Sequence, residues 1–258
     1  HIPDSVTRID YRAFKKCSKL AECNYPVGWT SAAGASYIGG TVYDIFAGTL
    51  LKTLEIPEGV KTIPAGAFSG CDNFEYFDLP EALTQIQQYT FNGCTGLSEM
   101  VIPAKVETIG DSAFRGCTGL TSVTLNDGLK TISSYAFYSC TRLTSIHIPD
   151  SVTTINSGAF QNCSKLAECN YPVGWTSAGN GSYYNEIFAG TLLKTLEIPE
   201  GIKAIPANAF SGCDNFEYFD LPESLTQIQD NTFYGCTGLS EMVIPAKVEM
   251  IGSSAFYG

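Results

Sequence analysis

Histidine and tryptophan are nearly absent from this chain, two of each in 258 residues, and basic residues are scarce, 15 Lys and Arg against 26 Asp and Glu. Each shortage closes a class of function. At a formal charge of −11 the chain lacks the cations that neutralise phosphates, which excludes nucleic acid as a partner and disfavours an anionic membrane surface. No apolar run approaches the ~20 residues that span a bilayer as a helix, so no direct membrane insertion is expected, and no secretion-signal pattern is read. Of the two histidines, His1 is terminal and His147 has Ser145 beside it but no acid, so a Ser-His-Asp triad is not assembled. Carboxylate pairs such as Glu75 with Asp78 and Glu217 with Asp220 lie on an open surface that does not desolvate a general acid. A phosphate-binding glycine loop, a close Cys-x-x-Cys pair and an Asp-x-Asp-x-Asp-Gly loop are missing as well. No catalytic residue, metal or cofactor is expected, and the chain reads as a non-enzyme.

What is abundant is phenylalanine at a nearly fixed interval: Phe14, Phe46, Phe68, Phe91, Phe114, Phe137, Phe160, Phe188, Phe210, Phe233 and Phe256. Eight of these eleven are followed three residues later by cysteine, and the prevailing step is 23 residues. A fixed period of this length signals a solenoid. In the copy from Leu120 to Cys140, the residues Leu120, Val123, Leu125, Leu129, Ile132, Phe137 and Cys140 are apolar and those between them are mostly polar or small. Leu120-x-x-Val123-x-Leu125 reads as a short strand, Asn126-Asp127-Gly128 as a turn, and Ile132 to Cys140 as the return along the outer side. One unit cannot cover its own apolar face, so each coil must bury it against the next.

The repeat runs through the middle without a Pro/Gly/Ser linker, so residues 1–258 are expected to form a single domain. His1–Thr7 matches His147–Thr153, and Ala255–Gly258 stops one residue short of the expected cysteine; both ends therefore read as cuts through a repeat, a fragment of a longer array. A longer duplication, about 1–146 and 147–258, is superimposed. Cys17 to Ala32 returns as Cys163 to Ala178, and Gly48 to Pro57 as Gly190 to Pro199, with the offset falling from 146 to 142. The Phe spacing lengthens only at the two stretches between these blocks, to 32 and 28 residues.

The pattern Leu-x-x-Ile-x-Ile-Pro-x-x-Val-x-x-Ile-x-x-x-Ala-Phe-x-x-Cys, as in Leu143 to Cys163, resembles the BspA-like leucine-rich repeats of bacterial and protist surface proteins. The resemblance covers essentially the whole chain. It implies a right-handed leucine-rich-repeat solenoid of about eleven ~23-residue coils, with parallel strands on the concave face and short helical or extended turns on the convex face. It also implies a cell-surface or secreted protein, with any signal and anchor outside these residues. Adhesion to host or extracellular-matrix proteins such as fibronectin or fibrinogen is what the family suggests. A structural spacer without a ligand of its own is the alternative.

Ten cysteines are enough for a disulfide framework, but Cys17, Cys71, Cys94, Cys117, Cys140, Cys163, Cys213 and Cys236 share one repeat position, while Cys23 and Cys169 stand where other coils place Leu54, Phe77, Met100 or Val123. A cysteine that alternates with leucine is acting as a small apolar residue. Buried free thiols are expected.

Two surfaces are candidates for binding. Taking the third and fifth strand positions as outward yields ten rungs, and eight of their twenty residues are acids while none is Lys or Arg. From these rungs Glu55, Tyr76, Asp78, Glu99, Glu197, Tyr218, Asp220 and Glu241 form the candidate concave-face site, with the tyrosines as anchors of the type enriched at interface hot spots. Like charges on adjacent rungs, Glu55 with Asp78 and Glu197 with Asp220, cost roughly 0.2–1 kcal/mol each. A solvated face that keeps the solenoid soluble is the plainer account of the same residues. The enlarged loops offer the second surface: Trp29 with Tyr37 and Trp175 with Tyr183, on Gly/Ser-rich stretches, could stack on sugar rings. Alternatively both tryptophans fold back onto the core.

Overall fold

The computed structural model describes residues 1–37, 40–179 and 186–258. The alternating pattern folds as a stack of coils. In the coil from Leu120 to Cys140 every residue of the apolar set is buried, and the same set recurs along one continuous core from Ile2 to Ala255.

Each regular coil carries two short strands rather than one. The first set comprises Glu99–Val101, Ser122–Thr124, Ser145–Ile146, Glu168–Cys169, Tyr218–Asp220 and Glu241–Val243. Its members pair parallel and in register one repeat apart, Glu99 opposite Ser122 and Tyr218 opposite Glu241. The second set, at the corner where the sequence reading placed an outer return, comprises Gln85–Ile86, Thr108–Ile109, Thr131–Ile132, Thr154–Ile155, Ala204–Ile205, Gln227–Ile228 and Met250–Ile251. These form parallel ladders of four and three strands. The regular turns therefore number about seven, not eleven. The remaining coils keep their phenylalanine and apolar set, but the enlarged stretches separate them from a regular ladder. Ala35–Tyr37 and Gly40–Val42, in the first of those stretches, pair instead as an antiparallel hairpin.

The described residues contain no helix. The reason lies on either side of each phenylalanine. Left-handed residues stand two before it and two after it in coil after coil: Arg12 and Lys16 around Phe14, Tyr89 and Gly93 around Phe91, Tyr135 and Ser139 around Phe137, Asn208 and Gly212 around Phe210. A positive φ breaks a right-handed helix at once, so the chain rounds this corner by alternation. The amides at those two positions and at the phenylalanine itself donate to carbonyls of the following coil, as Tyr135, Phe137 and Ser139 do to Ser157, Ala159 and Gln161 at 2.8–2.9 Å. On the two ladders the direction alternates, and while Ile102 and Ile155 donate forward to Thr124 and Ser177, other amides point back. Thr121 donates back to Ser98, and Lys130 and Ser133 donate back to Glu107 and Ile109.

The phenylalanines stack. Phe91, Phe114, Phe137, Phe160 and Phe188 follow one another with centroids 5.2–5.5 Å apart and planes within 5° of parallel. Such pairs add roughly 0.5–1.5 kcal/mol beyond the area they bury. Beside them runs the cysteine column, whose thiols donate to the phenylalanine carbonyl one coil back, as Cys117 does to Phe91 at 3.1 Å and Cys140 to Phe114 at 3.2 Å. All ten cysteines are free, and seven are buried.

Candidate functional site

The strand face is built by alternation. In Glu99-Met100-Val101 and Tyr218-Phe219-Asp220 the middle residue enters the core and the flanking two face solvent. The eight face candidates, Glu55, Tyr76, Asp78, Glu99, Glu197, Tyr218, Asp220 and Glu241, are all exposed. Register brings Tyr218 beside Glu241 and Asp220 beside Val243. Tyr76 and Tyr218 expose 55% and 48% of their surface, too much for core residues that happen to reach the boundary.

The ion pairs among the described residues leave this face alone. Lys52 Nζ lies 2.7 Å from Glu75 Oε1 and Lys194 Nζ 2.6 Å from Glu217 Oε1, both at the flank of the rungs, while Arg8, Arg12 and Lys15 pair with Asp10 and Asp44. The nearby lysines thus answer Glu75 and Glu217, and the six candidate acids have no basic partner. Among the described residues no three His, Cys, Asp or Glu side chains converge where a metal ion would sit.

Of the shallow clefts on this face, two hold the exposed tyrosines. One, of about 430 Å³, is lined by Glu58, Tyr76, Asp78, Leu79, Glu99 and Val101 among others. The other, of about 400 Å³, is lined by Glu197, Glu200, Tyr218, Asp220 and Leu221 among others. Val101 and Val243, placed outward by the alternation but not counted as candidates, are 64% and 79% exposed and add apolar area beside the acids. Glu58 and Glu200 were missed because they sit in the turn after the strand.

Not every fifth-position residue faces out. Asn24 and Asn170 turn in, each accepting from and donating to one backbone unit, Ile2 and Ile148 respectively, at 2.7–2.8 Å. The side-chain amide replaces the strand neighbour that is lost where the coil departs into its enlarged stretch.

The loop site is overturned for its two tryptophans. Trp29 and Trp175 are 1% and 2% exposed, and each Nε1 donates at 2.8 Å to a carbonyl two residues on, Ser31 or Ser177. Trp29 meets Phe46 and Phe68 edge-on with centroids 6.1 Å apart, and Trp175 does the same to Phe188 and Phe210 at 6.4 and 5.9 Å. A ring enclosed by aromatics offers no face to a sugar. The backbone of Tyr37 closes the strand Ala35–Tyr37, whereas Tyr183 lies outside the described residues.

Coils closed by two parallel ladders around an apolar column of Leu, Val, Ile and Phe define a β-solenoid of the leucine-rich-repeat type. The family described as "BspA type Leucine rich repeat region (6 copies)" matches residues 1–94, 84–186 and 184–258, and the chain belongs to it. Among solved structures, a leucine-rich repeat protein from Bacteroides ovatus is 26% identical, with a TM-score of 0.70 over 100% of this chain and 69% of its own. One from Eubacterium ventriosum, 23% identical, aligns with a TM-score of 0.64 over 96% of this chain and 67% of its own, a likeness of fold alone. A leucine rich cell surface protein from Faecalibacterium prausnitzii is 29% identical over 93% of this chain and 77% of its own, at a TM-score of 0.48. No curated protein sequence matches the chain.

Proposed function

We propose that this repeat array is a protein-recognition module of a cell-surface or secreted protein, and that it takes a cationic segment of a host or extracellular-matrix protein on its strand face. The observation that carries this reading is a row of exposed acids without basic partners, interleaved with exposed Tyr76, Tyr218, Val101 and Val243. Apolar anchors ringed by unpaired charge of one sign suit a partner with the opposite pattern. Surface location and adhesion come from the family; fibronectin and fibrinogen enter as partners of that chemistry to be tried.

The test is surface-plasmon binding to a panel of matrix proteins, at low and physiological salt, beside a variant combining Asp78→Asn, Glu99→Gln, Asp220→Asn and Glu241→Gln. Saturable binding, weakened by salt and lost in the variant, is expected, since exposed charges are screened beyond about 8–10 Å. Binding that survives the variant would move the site elsewhere, and no binding in either salt would leave a spacer.

A further inference from the structure

The two tyrosine clefts of the strand face are built on duplicated sequence, although the first extends to Glu99 and Val101 of the next rung and the second to Thr195 and Glu197 of the preceding one. Phe74 to Pro80 and Phe216 to Pro222 share the sequence Phe-Glu-Tyr-Phe-Asp-Leu-Pro, and Gly96 to Pro103 and Gly238 to Pro245 share Gly-Leu-Ser-Glu-Met-Val-Ile-Pro. Glu58, Tyr76, Asp78 and Leu79 line the first as Glu200, Tyr218, Asp220 and Leu221 line the second. Both open on the same face. Between them lie six steps of the repeat, at ~4.8 Å for each neighbouring strand. On the opposite corner the phenylalanine centroids advance by 5.2 to 6.5 Å over the same six steps. The clefts therefore stand roughly 30 Å apart, on a single packed core.

From this we infer that the face is bivalent: its partner is a polypeptide carrying two cationic segments, each with an apolar residue, spaced to reach both clefts at once. The inference rests on the reading of the strand face given above. Glu241 and Val243 stand beside Tyr218 and Asp220, the duplicates of Glu99 and Val101 beside the first cleft, so both patches offer the same side chains to one kind of segment. The second contact is then intramolecular, at an effective concentration set by the partner's spacing. Of the intervening rungs, Ser122 with Thr124 and Ser145 with His147 are polar and carry no carboxylate, and the next carries a single exposed acid, Glu168, with no exposed tyrosine beside it.

The probes are synthetic peptides built on one block, Arg-Lys-Leu-Arg-Lys: the block alone, two blocks joined by about 30 Gly/Ser residues, and two joined by a single Gly. A flexible linker of about 30 residues has a root-mean-square reach of ~30 Å; with a single Gly, the six residues from one Leu to the next span at most ~21 Å. Calorimetry with the single block is expected to give two equivalent sites per chain. The long-linker peptide is expected to bind about 100-fold more tightly than the single block, the short-linker peptide no more than about twofold. Asp78→Asn with Glu99→Gln is expected to leave one site and to abolish the linker gain while keeping the single-block affinity at the remaining cleft. One site per chain in the unaltered protein, or the same gain with both linkers, overturns bivalence and leaves the strand-face reading standing. Absence of single-block binding that depends on these acids overturns both.

Discussion

Trp175→Ala tests the packing that removed the tryptophans from the surface. The indole is 2% exposed, lies 5.2 Å from the ring of Tyr171, and stands edge-on to Phe188 and Phe210, with its Nε1 held by Ser177. Truncating a buried aromatic of this size costs about 3–5 kcal/mol, including the ~1 kcal/mol of its hydrogen bond. Against a typical domain stability of about 5–15 kcal/mol that is a large share. Stability in a stack of coils comes from neighbouring interfaces, so the damage should centre on the coils of Phe160, Phe188 and Phe210. The assay is urea unfolding by circular dichroism, with fluorescence of Trp29, then the sole tryptophan, reporting the first half. A loss of about 3–5 kcal/mol by dichroism and a smaller one by Trp29 fluorescence are expected. A loss under about 1 kcal/mol would put the indole back in solvent and refute the packing.

The two kinds of glycine separate just as sharply. At Gly93, φ is 74° and an added Cβ meets nothing nearer than Gly70 Cα at 3.8 Å, so Gly93→Ala should cost only the left-handed penalty of about 1–2 kcal/mol. At Gly119 an added Cβ would fall 2.2 Å from the Thr95 carbonyl oxygen, and Gly119→Ala should lower the melting temperature more than Gly93→Ala does. Thiol labelling of the native protein should show one fast cysteine, the exposed Cys17, while the seven buried thiols wait for unfolding; fast labelling of that column would contradict its burial. Alkaline pH should destabilise the fold. Burial pushes Cys117 and Cys236 up to about 12 from an ordinary 9.0. Across that window the unfolded chain releases protons that the folded chain retains, so stability falls as pH rises, by up to ~1.4 kcal/mol per pH unit for each thiol. Urea midpoints from pH 8 to 11 should show the fall, less steeply in Cys117→Val.

The phenylalanine period and the Leu-x-x-Val-x-Leu alternation were enough to read the core, the outward rungs and the free thiols. The second ladder was not legible, because a two-residue strand such as Thr131–Ile132 is too short to show alternation. The left-handed positions were half legible. Glycine marks the one after the phenylalanine at Gly70, Gly93, Gly116, Gly212 and Gly235, but Arg12, Tyr89 and Tyr135 occupy the one before it and advertise nothing. Gly/Ser-rich neighbours made the tryptophans candidates for a loop site, and the alternative reading, in which both fold back onto the core, is the one the structure shows. A signal was there: Cys23-x-Tyr25-x-x-x-Trp29 keeps the spacing of Val123-x-Leu125-x-x-x-Leu129, which places the indole where other coils bury leucine. Asn24 kept the spacing of an outward residue yet turned in, because its strand loses a neighbour, and no pattern within one coil reports that.

The opposed direction of the hydrogen bonds has an electrical consequence. In an α-helix the peptide dipoles, ~3.5 D each, add head to tail. Here the three amides around each phenylalanine point toward the following coil, while on the ladders amides such as Thr121, Lys130 and Ser133 point toward the preceding coil and others such as Ile102 and Ile155 toward the following one, so the axial contributions largely subtract. The stack has no strong positive or negative pole, however many coils it contains. A cation approaching from solution is therefore drawn sideways, toward the row of carboxylates, and lengthening the array adds attraction only where a new coil brings an acid.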